Sequence, residues 1–490
     1  MRRIVLVALV VCTADACPAS CGTLNCPDAF RVACEKNTSC TWCACTGFDC
    51  MHINETDVCT LKTAAPSFPS SLFKCDKPYR QQGNGRWAHS WATAADMTFA
   101  DFGYSLLTDE QAKFAASKYR VVSLEKCTGQ GQGVKTEKGI YTTAKQLKAA
   151  NSKVKVIFYF ATDVQGLNCY AANTEFQAHP EWWLKDDHGQ VVKGGSGPMI
   201  DWTVKAARDW WVSIPYRGDG NGTFDGIPTS QLIDGVLADG AGFSTLGGAK
   251  IGTQRLEALA DAHNEMVGAL QDVARSQNGG LVLANGINMY GSQVDPRRAH
   301  DHHLHLLDFA DAILSEHTAV FESVNSKNGS LNVDLVSQNL DAIVAASAMA
   351  GGSKTVFVST WPGLYTGFGP HGPTFPSAYG PSPSTNDEWR DALRTHFQFA
   401  FALYLSIAEA NTYWFYGGVW YELHQGFVTC PEDPSSCSAP PEWYPALDKP
   451  LGAPTAPRKL VSPYTWERSF EHATVHLSLL SPANSSVTFH

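Results

Sequence analysis

The stretch Ile233-Asp234-Gly235-Val236-Leu237-Ala238-Asp239-Gly240 sets the reading of the whole chain. It is a short apolar run with an acid near each end, punctuated by Gly235 and Gly240, which is the pattern of a buried parallel strand ending in a loop. Side chains alternate along a strand, so Gly235, Leu237 and Asp239 share one face while Asp234, Val236 and Ala238 share the other. Asp239 is thereby a carboxylate delivered to the carboxyl end of a buried strand. That edge is where α/β folds place their chemistry.

Runs of the same kind recur on both sides, separated by amphipathic segments. Before it stand Arg86 to Trp91, a weak first strand, then Arg120 to Glu125 and Lys153 to Ala161, the last rich in β-branched and aromatic residues. After it come Gly280 to Asn285, Asp311 to Glu316, Lys354 to Thr360 and Thr412 to Tyr416. Helical patterns cover Thr108 to Lys118, Thr142 to Ala150, Val204 to Val212, Gln254 to Ser276, Leu335 to Ala350 and Trp389 to Ala410. Eight strands in α/β alternation predict a (β/α)8 TIM barrel over 79–445. An open doubly wound sheet is the alternative, but no Gly-rich phosphate loop accompanies the strands. From Arg458 onward the period changes to two, as in Thr474-Val475-His476-Leu477, which predicts a small C-terminal β segment within 446–490.

The 490 residues are 44% hydrophobic and 17% charged, enough for a large core. Lys and Arg number 37 against 47 Asp and Glu, and no basic run occurs, which argues against nucleic acid or an anionic membrane surface as partner. Residues 1–16 read as a signal peptide, with Arg2-Arg3 before an apolar core and Ala14-Asp15-Ala16 as the cleavage site. Cys12 leaves with that peptide, and an even number of the 15 cysteines remains, which suits an oxidising compartment. Asn37, Asn54, Asn221, Asn328 and Asn484 each open an N-x-S/T sequon. No later segment is long and apolar enough for a transmembrane span, so the expected product is a secreted glycoprotein, or one retained in a vacuole or lysosome.

From Cys17 to Cys75 the segment carries ten cysteines and is too short to bury much apolar surface, so it reads as a disulfide-held module, 17–75; Cys40-x-x-Cys43 has metal-ligand spacing, but a secreted context and the lack of a partner Cys/His set argue against metal. Its Cys40-Thr41-Trp42-Cys43 distantly resembles the C-x-W-C core of plexin-semaphorin-integrin modules. Cys127 and Cys169 follow neighbouring strands and are expected to pair, as are Cys430 and Cys437 in a loop after the last strand.

In a closed barrel the strand ends converge on one mouth. Here they are Trp91, Glu125, Asp163, Asp239, Asn285, Glu316, Trp361 and Tyr416, with Tyr159 inside strand three. Carboxylates, an amide and aromatic rings are the chemistry of a sugar site: acids cleave the glycosidic bond, amides hold hydroxyls, and rings stack on pyranose faces. His317 adjoins Glu316 and is a further candidate for binding substrate. Asp201 precedes a helix and is either a cap or a substrate contact. The tract His300-Asp301-His302-His303-Leu304-His305 precedes strand six, away from the mouth, and reads as a solvated helix end instead of a metal site.

Glu181-Trp182-Trp183-Leu184 with Asp187 and Gly189, Ile200-Asp201-Trp202, and the stretch from Asp234 to Gly240 together resemble a glycosyl-hydrolase-like family of TIM barrels. Lys449-Pro450-Leu451-Gly452 and Trp466-Glu467-Arg468-Ser469-Phe470-Glu471 are similar to that family's closing β segment. The resemblance spans Trp87 to His490 and implies a barrel with glycosidase activity, without indicating a substrate. Barrels of the α-galactosidase type carry a nucleophile at the end of strand four and an acid at the end of strand six, which implies Asp239 and Glu316; Glu at the sixth position departs from the Asp usual there. The expectation is a glycoside hydrolase that acts on a poly- or oligosaccharide with two carboxylates and needs no cofactor or metal. The competing expectations are an inactive carbohydrate-binding barrel, or a lyase or isomerase built on Lys126 and His317.

Overall fold

The computed structural model describes residues 11–13, 48–53, 56–61 and 87–490, the last with breaks at 88, 104, 164–165, 195–196, 242–248, 288–301, 321–322, 326–327, 361–366, 370–371, 375–385, 418–422, 425–426 and 429–442. The first three segments are short antiparallel strands. The rest of the expected signal peptide and cysteine-rich module lies outside the described residues, as do Asn37, Asn54, Trp361, Cys430 and Cys437.

Eight parallel strands form one sheet in sequence order: β1 (Phe99–Phe102), β2 (Val121–Leu124), β3 (Lys155–Ala161), β4 (Gly235–Asp239), β5 (Leu281–Asn285), β6 (Ala312–Ser315), β7 (Thr355–Thr360) and β8 (Thr412–Tyr416). A parallel bridge between Thr98 and Trp414 joins the two ends, so the sheet closes into a TIM barrel. The strands are nearly continuous apolar runs because both faces are covered, one by the barrel interior and one by the helices. Those helices include α1 (Asp109–Lys118), α2 (Thr136–Ala150), α3 (Lys205–Arg217), α4 (Thr253–Asn278), α5 (Val333–Gly352) and α6 (Asn386–Ile407). Thr108 starts α1 with a capping box, its hydroxyl accepting from Gln111 N while the Gln111 side chain accepts from Thr108 N.

Strand one is not Arg86 to Trp91 but Phe99–Phe102. The tryptophans that gave the earlier segment a strand-like composition serve the opposite end of the barrel. The Tyr413 hydroxyl donates to Trp87 O, and the Trp91 ring packs edge-on to His89 and 5.9 Å from Phe470 of the C-terminal segment. Two aspartates that precede strands tie that amino-terminal end together. Asp234 accepts from Val156 N and pairs with Lys148 and Lys155, and Asp311 accepts from Val282 N, Gln271 and Arg275.

The C-terminal segment is a four-stranded antiparallel sheet of β9 (Lys459–Ser462), β10 (Thr465–Ser469), β11 (Ala473–Ser478) and β12 (Ser486–Phe489). It packs on α6, where the buried Arg468 guanidinium donates to Leu405 O, Ser406 O and Ala408 O at the helix end and pairs with Glu409. The barrel interior beneath the mouth is aromatic: Phe99 meets Phe357 edge-on at 5.0 Å, and Phe357 stacks on Tyr413 at 5.2 Å. The interior is therefore packed, and the polar residues gather above it.

Candidate active site

Period-two alternation sends Leu237 and Asp239 of β4 into the barrel, as the sequence pattern requires. The same rule brings Asp101 from β1, Glu125 after β2, Tyr159 from β3, Asn285 from β5, Glu316 after β6 and Ser359 from β7 to one pocket at the carboxyl-terminal mouth, over Phe99, Leu314 and Phe415.

Asn285 organises the centre. Its Nδ2 donates to Asp239 Oδ1 and to Glu316 Oε2, each at 2.6 Å. One amide nitrogen therefore spends both hydrogens on the two acids, which keeps the two bonded oxygens no more than about 5.2 Å apart. The Tyr159 hydroxyl donates to the other oxygen of Asp239. Both Asp239 oxygens are thus held by neutral donors. Glu316 has its Oε1 3.8 Å from His317 Nε2 and its side chain 26% exposed. Burial holds His317 below the ordinary histidine range, against the pull of Glu316, so it is a neutral ring at pH 7.

A second acidic group faces the first. Burial, offset by the Lys126 ammonium and reinforced by Asp239, raises the Glu125 carboxyl to about 7. Burial and the neighbouring Glu125 raise Asp101 well above the carboxylate range. Lys126 Nζ lies 3.0 Å from Glu125 Oε2 and 3.2 Å from the Tyr159 hydroxyl. The site thus sets the two acids bridged by Asn285 beside two buried acids whose carboxyls are raised, with one ammonium among them.

The structure brings Asp239, Glu316, Asn285, Tyr159, Glu125 and His317 together. Asp163 lies just outside, its carboxyl against Gly240. Asp201 is away from the site: its Oδ1 accepts from Thr203 N and the Thr203 hydroxyl, and its Oδ2 is 3.6 Å from Arg255, so it clamps the turn before α3. Trp91 is at the other end of the barrel. Tyr416 is fully buried and donates to Leu393 O in α6, because Phe415, its neighbour on the strand, takes the inward position. Asp101 was missed in the sequence because strand one was placed too early; the signal was a lone acid in the apolar run Phe99-Ala100-Asp101-Phe102. Cys127 and Cys169 are joined, with Cα atoms 5.1 Å apart. Asn221, Asn328 and Asn484 stand on exposed turns. Among the described residues no group of acids, histidines and cysteines has the arrangement of a metal site, and no helix is long and apolar enough to cross a membrane.

No family model and no curated protein matches the chain. Among solved structures it is similar to the alpha-amylase of Geobacillus thermoleovorans complexed with acarbose, at 11% identity over 78% of this chain and 86% of that one, with a TM-score of 0.40. It is similar to the cyclic alpha-maltosyl-(1→6)-maltose hydrolase of Arthrobacter globiformis, at 10% identity over 80% and 92%, with a TM-score of 0.41. It is also similar to a GH36 alpha-galactosidase of Geobacillus stearothermophilus, at 11% identity over 80% and 49%, with a TM-score of 0.37. Likenesses this slight transfer neither substrate nor mechanism, which rest on the residues at the mouth.

Proposed function

We propose that the chain is a glycoside hydrolase that acts with retention of anomeric configuration. The observation that carries this reading is the single Asn285 amide bonded to both Asp239 and Glu316, which holds the two acids close together, as retention requires. Asp239 Oδ attacks the anomeric carbon as Glu316 gives its proton to the glycosidic oxygen, and the aglycon leaves as an alcohol. Glu316, now ionised, takes a proton from water; the hydroxide equivalent displaces Asp239 from the anomeric carbon, and both acids return to their starting state. Asn285 holds the pair in register throughout, and Tyr159 steadies the oxygen of Asp239 that does not attack. The substrate is a poly- or oligosaccharide whose reacting sugar sits over Phe99, Leu314 and Phe415, with hydroxyls toward Asp101 and Glu125. The protein acts in the secretory pathway or outside the cell; the apolar, doubly basic start, the exposed sequons at Asn221, Asn328 and Asn484 and the Cys127–Cys169 disulfide support this.

The test is hydrolysis of a broad panel of aryl glycosides and oligosaccharides by wild type, Asp239→Asn and Glu316→Gln. Losses of about 10³-fold or more in both variants are expected, since each removes several kcal/mol of transition-state stabilisation. A 2-deoxy-2-fluoro glycoside of a cleaved sugar should leave a glycosyl adduct on Asp239 by peptide mass spectrometry. Product of inverted configuration would refute retention. No turnover by wild type, with sugar binding retained in all three proteins, would favour a carbohydrate-binding barrel instead.

A further inference from the structure

Lys126 occupies a place that the two-carboxylate mechanism leaves without a task. Its Nζ donates to Glu125 Oε2 and to the Tyr159 hydroxyl, and lies 4.6 Å from the centre of the Tyr159 ring. An ammonium has donors and no lone pair, so the Tyr159 oxygen accepts from it. A phenol has one hydrogen, and with its oxygen engaged from the lysine side that hydrogen goes to Asp239 Oδ2. The cation also polarises the phenol and strengthens the bond it donates to the carboxylate.

The lysine is in turn held by a cross-link. It immediately precedes Cys127, whose backbone takes a φ of 61°, a conformation costly for any residue but glycine. Cys127 is joined to Cys169, in the loop after β3. That loop passes over the lysine at Gly166, where φ is +71° and an added Cβ would stand 2.9 Å from both Cβ and Cδ of Lys126. The backbone of one loop thus lies on the side-chain stem carried by the other, and the disulfide joins the two loops next to that contact.

We propose that Lys126 is a positioning residue for Asp239, acting through the Tyr159 hydroxyl, and that the Cys127–Cys169 disulfide is the clamp that keeps it there. The proposal rests on the reading of Asp239 as the nucleophile. Lys126 does not line the pocket; it fixes the direction of a proton.

The experiment compares wild type, Lys126→Ala, the pair Cys127→Ala/Cys169→Ala, and all three substitutions combined, on a glycoside the wild type cleaves. Lys126→Ala should lower kcat about 10- to 100-fold, the worth of a charged hydrogen bond, with KM within about 3-fold of wild type. Added n-propylamine, which supplies the missing stem and ammonium, should restore part of that loss. The cysteine pair should lower kcat in the same direction, and combining it with Lys126→Ala should cost no more than Lys126→Ala alone. An unchanged kcat in Lys126→Ala, or losses that multiply in the combined variant, would overturn the proposal. Should the cysteine pair fail to fold, Gly166→Ala displaces the same stem with the disulfide intact and should give the same kcat defect; normal turnover there removes the clamp. A readout free of turnover is the ¹³Cζ resonance of Tyr159, identified by Tyr159→Phe, which should move in Lys126→Ala and in the clamp variants. A shifted resonance in a protein with no glycosidase activity sinks the retaining mechanism alone; an unmoved resonance sinks the role of Lys126.

Discussion

Replacing Glu125 with glutamine should change how stability depends on pH, and the size of the change follows from the carboxyl's surroundings. Burial first, against the pull of Lys126 and with the push of Asp239, takes Glu125 from 4.5 to about 7. The unfolded chain releases that proton near 4.5, whereas the folded chain keeps it until about 7. Between those values the native state binds more protons than the unfolded state, so stability falls as pH rises through the window and levels off above it. At about 1.4 kcal/mol per pH unit, this amounts to a loss of about 3 kcal/mol for wild type between pH 4.5 and 7. Asp101, raised by burial and then by Glu125, adds to the decline in the same sense. Glu125→Gln removes the first contribution outright and weakens the second by deleting the charge beside Asp101. Urea unfolding of both proteins at intervals from pH 4.5 to 8, followed by tryptophan fluorescence, measures the difference. The glutamine variant should gain on wild type by up to about 3 kcal/mol across the window, whatever its absolute stability. Parallel curves would mean that Glu125 is ionised in the native state near its ordinary value, and the account of a proton-retaining acid pair would be wrong.

Asn285→Ala should lower kcat by about 10²-fold or more with the fold intact, since both hydrogen bonds that hold Asp239 and Glu316 in register are lost. Steady-state kinetics on a cleaved glycoside is the check, and full activity in the variant would remove Asn285 from the site. Gly240→Ala should destabilise the protein by about 1–3 kcal/mol, because φ is +66° there and a Cβ would stand 2.9 Å from Asp163 Cγ. Thermal unfolding reads this, and an unchanged midpoint would show that the β4 loop relaxes freely.

The legible part of the site came from strand ends whose neighbours were unambiguous. Asp239, Asn285, Glu316 and Glu125 each close an apolar run bounded by a polar turn, so period two and the barrel rule were enough to bring them to one mouth. Asp101 was lost, and Trp91 chosen in its place, because two tryptophans ahead of a short strand carry more β-like composition than the strand itself. Tyr416 shows the complementary failure: the strand was found with its correct ends, yet whether position 415 or 416 faces inward depends on how β8 sits against β1 and β7, which no local pattern fixes.

The sequence by itself determined seven of the eight barrel strands, their alternation with helices, the β character of the final segment and which acids close the strands, because burial on two faces, one face or none writes a different period into the residues. Only the tertiary structure decided what surrounds those acids. The shared amide of Asn285, the line from Lys126 through Tyr159 to Asp239, and the proton kept by Glu125 all join residues from different strands. Their meeting depends on barrel closure and stagger, quantities set by packing across the whole sheet and not by any stretch of it.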